Sequence, residues 1–152
     1  MVKQVFLLSA LLVTSTVAQE PSNRCRPQMS YENHNQVDPH RLSLRELFGR
    51  VVTEVGEPAQ EIGPGSGTCL GLFTEQDHQL VTMVTADKDG RFHFGAVPAG
   101  KYRLVVRAES LCVANVPLQI VAKSRTRKQK NNQIVVHMRP AGIDTCSYAD
   151  YK

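Results

Sequence analysis

Cysteine is the residue type here with the widest choice of covalent and metal chemistry. There are four, Cys25, Cys69, Cys112 and Cys146. Their spacings are long and none forms a C-x-x-C pair, which argues against a four-thiolate zinc site. An even count in an exported chain favours disulfides. The expectation of export comes from the N-terminus, "MVKQVFLLSALLVTSTVAQE". Lys3 gives it a basic start, Val5 to Val13 an apolar centre, and Thr16-Val17-Ala18 a small-residue cleavage pattern. Residues 1–18 therefore read as a secretory signal peptide cut after Ala18. Four cysteines allow three pairings, and the sequence does not choose among them. The preferred set is Cys69–Cys112 inside the domain and Cys25–Cys146 joining the tails. The first would close a loop worth about 4 kcal/mol in the chain-entropy model.

Two histidines, His93 and His137, fall on predicted strands. On adjacent strands they would offer a metal pair or the acid–base groups of a small hydrolase, and singly they read as solvent-facing residues. "DKDG", residues 87–90, has two carboxylates of a calcium loop but lacks its further spaced oxygens and closing Glu, so it reads as a hairpin turn. The chain holds no nucleophile elbow, no His-Glu-x-x-His and no Gly-rich phosphate loop. No catalytic residue, metal ligand or cofactor is therefore expected.

The sharpest charged feature is "KSRTRKQK", residues 123–130, with Lys123, Arg125, Arg127, Lys128 and Lys130. Net charge is +4 and the pI about 9.0, and without these five residues the rest is slightly acidic. The run is expected at a hairpin tip, where it would meet a polyanion or simply keep a strand end soluble. It has no interleaved aromatics, so specific nucleic-acid recognition is not expected. "EIGPGSGT", residues 61–68, reads as a loop able to line a binding edge.

The elements that must position these groups are strands. Seven segments alternate or are rich in β-branched and aromatic residues: 47–53, 69–75, 79–86, 91–94, 101–108, 116–123 and 132–138. Tyr102, Leu104 and Val106 point one way, and Lys101, Arg103 and Arg107 the other. Phe92 and Phe94 face in, as do Val116, Leu118 and Ile120. Pro117, which cannot donate to a ladder, places the sixth strand's start on an edge or falls at its first residues. No segment keeps a helical period over ten residues, and no apolar run beyond the leader is long enough to span a membrane. Short strands divided by turns predict an antiparallel sandwich or barrel. Residues 19–46 read as an irregular leader, 47–138 as the domain and 139–152 as a C-terminal tail.

"TADKDGRFHFGAVPAGKYRLVV" resembles the carboxypeptidase regulatory-like domain family, of the transthyretin-like or prealbumin-like class. Thr85, Gly90, Phe92, Phe94, Val97, Pro98, Gly100, Tyr102, Leu104 and Val106 sit on its pattern T-x-x-x-G-x-F-x-F-x-x-V-P-x-G-x-Y-x-L-x-V, with one extra residue between Thr85 and Gly90. "GRVVT" at 49–53 looks like the family's opening strand. The resemblance implies a seven-stranded antiparallel Greek-key β-sandwich over 47–138. It also implies an accessory or interaction module more than a catalyst. One branch of the wider class hydrolyses a purine breakdown product with paired histidines, an arginine and a C-terminal Tyr-Arg-Gly-Ser. This chain ends "CSYADYK", so that activity does not carry over. The expectation is a secreted or periplasmic binding or structural module for a protein or carbohydrate partner. A polyanion binder acting through 123–130 and a small hydrolase are the alternatives.

Overall fold

Leu70, Leu72, Leu104, Val106, Val116, Leu118 and Ile120 alternate along their strands and meet in one apolar cluster. A computed structural model describes residues 25–31, 37–122, 133–141 and 147–152. Among them are β1 (Leu42–Leu44), β2 (Phe48–Val55), β3 (Gln60–Pro64), β4 (Cys69–Thr74), β5 (Leu80–Thr85), β6 (Arg91–His93), β7 (Gly100–Arg107), β8 (Ala114–Ile120), β9 (Ile134–Met138) and β10 (Tyr148–Tyr151). One sheet has the order β1-β8-β7-β4-β5. The other has the order β10-β9-β2-β3, with β6 also paired to β2. Val51, Ile134, Val136, Met138 and Ala149 of the second sheet join the same cluster as the leucines of the first.

All seven expected strands are present, within three residues at each end. The chain is all-β, but its sheets are mixed: β1 runs parallel to β8, and β2 parallel to β9. The expectation of a wholly antiparallel, seven-stranded fold is corrected by these pairings and by β1, β3 and β10. The three were hidden for physical reasons. β1 and β10 span 3 and 4 residues, too few to display a period. β3 carries Gly63 and Pro64, which read as breakers, yet Pro64 is that edge strand's last residue. The ranges read as leader and tail thus each contribute a strand.

The two motif turns are not hairpins. β5 and β7 lie in the first sheet and β6 in the second, so residues 86–90 and 94–99 each carry the chain across the core. Asp87 shapes the first of these crossings. Its Oδ1 accepts from the amides of Asp89 (2.9 Å) and Arg91 (2.8 Å), an Asx-type turn. Gly90 has φ +74°, and a Cβ there would fall 2.4 Å from the Val51 carbonyl oxygen. At the second crossing the buried Tyr102 ring donates its hydroxyl to the Pro98 carbonyl at 3.0 Å. Pro117 is not at a free edge either: β8 lies between β1 and β7. The β1 ladder starts at Leu118, directly after the residue that lacks a donor.

A second apolar cluster lies under the leader. Cys25 and Met29 pack with Cys69, Phe73 and Val105, beside Tyr31, Met83 and Val113. Val105 alternates with Leu104 and Val106, so residues 25–31 cover the opposite face of the first sheet. Tyr31 meets Phe73 edge-on with centroids 5.7 Å apart and stacks on His78 at 3.8 Å. The preferred cysteine pairing is overturned here: Cys25 bonds Cys69, 44 residues away. The leader's route across β4 brings these two together. That loop is one residue longer than the expected Cys69–Cys112 loop, so the same chain-entropy estimate of about 4 kcal/mol applies. Cys112 is also disulfide-bonded, and Cys146 lies outside the described residues.

Candidate functional site

The leader covers the first sheet's outer face around Cys69, Phe73 and Val105, and polar side chains gather on the outer face of the second sheet. Ile134, Val136 and Met138 enter the core, which turns Val135, His137 and Arg139 outward. The same alternation turns Phe48, Arg50, Val52 and Glu54 outward from β2, and Tyr148 and Asp150 from β10.

At one end these residues close on one another. His137 Nδ1 contacts Glu54 Oε1, and its Nε2 lies 3.1 Å from Asp150 Oδ1. Arg139 reaches the other Glu54 oxygen at 3.5 Å. The His137 ring stacks on Tyr148 at 4.5 Å, and the Arg139 guanidinium lies 5.3 Å from the same Tyr148 ring centre. Burial, with the Glu54 charge beside it, holds the Tyr148 hydroxyl's pKa above its ordinary value. Both His137 nitrogens face carboxylates.

The other end is an open groove lined by Phe48, Arg50, Asp89, Arg91, Gln133 and Lys152. Register explains its make-up. Phe48 stands opposite His93, and Arg50 opposite Arg91. Gln133 immediately precedes β9, whose Ile134 pairs with Gly49, and the Lys152 amide donates to the Gln133 carbonyl at 2.8 Å. The groove runs on past His93 to Gly95, Val97, Val121 and Ala122.

His93 and His137 do not come together. They lie on opposite sides of β2, opposite Phe48 and Val52 respectively. Two strand spacings and four residue rises place them roughly 16 Å apart. The Asp87 side chain holds the turn's own amides. Residues 61–64 of the expected loop 61–68 fall in β3, and Pro64 borders the groove. Lys123, Arg125, Arg127, Lys128 and Lys130 lie outside the described residues. The described strands on either side, β8 and β9, belong to different sheets. Its described neighbours Ala122 and Gln133 both line the groove.

Sequence reasoning missed Arg50, Arg91 and Lys152 as a group. Outward alternation at Arg91 was legible, but the register that sets it opposite Arg50 was not. No helix among the described residues is long and apolar enough to cross a membrane. Comparisons with family models, curated proteins and solved structures find no match to this chain.

Proposed function

We propose that this chain is an exported, non-catalytic β-sandwich module of the carboxypeptidase regulatory-like kind, which binds or braces a protein or carbohydrate partner. One observation carries the reading: the polar side chains best suited to chemistry are engaged in holding the backbone or one another. Asp87 organises a turn, Tyr102 ties the Pro98 carbonyl, and His137 sits between Glu54 and Asp150. Asp38, with its side chain only 3% exposed, accepts from the amides of His40 (2.8 Å) and Ala149 (3.2 Å). The Greek-key, prealbumin-like topology belongs to the same proposal. It is supported by the two sheets sharing one core and by the motif's two crossings between them.

The test pairs a glycan and extracellular-protein binding screen with a panel of ester, amide and glycoside substrates. Saturable binding without turnover is the expected result. Turnover that disappears in His93→Ala would replace the module with the hydrolase.

A further inference from the structure

Arg50 and Arg91 occupy directly opposed positions on antiparallel strands β2 and β6. Like charges in that arrangement repel and cost stability. Glu61 answers Arg50 as an ion pair. Asp89 at this end of the groove is itself held by Lys88 at 3.1 Å, and Glu46 lies further along, beside Phe48 and His93. Among the described residues no carboxylate pairs with Arg91 or Lys152, and both are exposed. A cross-strand repulsion kept in an open groove points to an anion that relieves it.

The register sets the dimensions. Lys152 follows β10, Gln133 precedes β9, Phe48 and Arg50 lie on β2 and Arg91 on β6, so the three cations fall on three of four neighbouring strands. At about 4.8 Å per strand, the row extends about 14 Å. That span suits a polymer with repeating negative groups better than one small anion. Phe48 lies between the cations, with its ring 6.5 Å from His93, and offers an aromatic surface to the C–H face of a sugar.

Resting on the module reading, we infer that this groove binds an acidic polysaccharide, with Arg50, Arg91 and Lys152 taking the sulfate or carboxylate groups and Phe48 a sugar face.

The experiment titrates the full chain with a heparin-derived octasaccharide at 150 mM salt, and with polyglutamate in parallel. Arg91→Gln combined with Lys152→Gln should weaken octasaccharide binding at least tenfold and reduce the salt slope by about two. Arg91→Gln should keep or raise the melting temperature, because it removes the repulsion with Arg50. A folded double variant that binds unchanged overturns the inference, as does a wild-type chain that does not bind the octasaccharide. Equal, groove-dependent binding of polyglutamate would replace the polysaccharide with an acidic polypeptide. Saturable binding of a neutral glycan or a protein alone leaves the module standing without this groove. Cleavage of the octasaccharide would remove the module reading itself.

Discussion

Met29 occupies the volume that a side chain at position 71 would need. A Cβ on Gly71 would fall 2.4 Å from the Met29 sulfur and 3.0 Å from a Phe73 ring carbon. The interior strand β4 therefore has a gap in its outer face, and the leader fills it. Gly71→Ala should destabilise by about 1–3 kcal/mol through overpacking. Because methionine repacks readily, most of that cost should vanish when Met29 is also truncated to Ala. A double-mutant cycle by urea denaturation measures the coupling. Strictly additive losses would mean that the leader does not sit on Gly71.

The same contact makes the first disulfide a clamp on the leader. Non-reducing peptide mapping should recover Cys25 linked to Cys69 and no Cys69–Cys112 peptide. Cys112 is bonded, and Cys146 is the one cysteine left in the sequence to be its partner, so a Cys112–Cys146 peptide should appear as well. Changing Cys25 and Cys69 together to Ser should cost about 2–4 kcal/mol. It should also expose the Met29, Phe73 and Val105 cluster to a hydrophobic dye. A double variant as stable as the parent would show that the packed leader needs no covalent tie.

Local signals in the sequence carried the core strands and little of what surrounds them. Tyr102, Leu104 and Val106 announced an inward face by period alone, and the cluster contains all three. The Tyr102 hydroxyl reaches the Pro98 carbonyl. Gly100 has no positive φ, and the Tyr102 ring lies 3.2 Å from where its Cβ would be. What stayed hidden depends on pairing between distant segments. The Cys25–Cys69 bond needs the leader's route over β4, and the Arg50–Arg91 opposition needs the β2–β6 register. Neither leaves a local period to read.

Removing the Tyr102 hydroxyl isolates the hydrogen bond from the ring. Tyr102→Phe keeps the buried ring and leaves the Pro98 carbonyl without its 3.0 Å donor. The expected loss is about 1–1.5 kcal/mol, seen as a lower denaturation midpoint with an unchanged slope. The crossing at residues 94–99 should then exchange its amides faster than the β4–β7 ladder. No change in midpoint would mean that solvent satisfies the carbonyl equally well.

Glu75 gives the fold a specific acid dependence. Its carboxylate accepts from Arg41 at 2.6 Å and lies 3.5 Å from Arg103. The Arg41 hydrogen bond lowers its pKa from the ordinary 4.5 against the opposing effect of burial, and the charges of Arg41, Arg103 and Lys101 add to the lowering. A carboxylate whose folded pKa is depressed contributes stability above its unfolded pKa and loses it as pH falls through the folded value. Glu75→Gln should therefore cost most at pH 7, and the gap to the parent should close below about pH 4.5, the unfolded value. Both partners are partly solvated, with the Arg41 side chain 37% exposed, so the full gap should be only about 0.5–1 kcal/mol. One molar salt should shrink it further. Urea midpoints for both proteins at pH 7, 5 and 3 make the measurement. A gap that stays constant across that range would assign the loss to packing at position 75 and not to its charge.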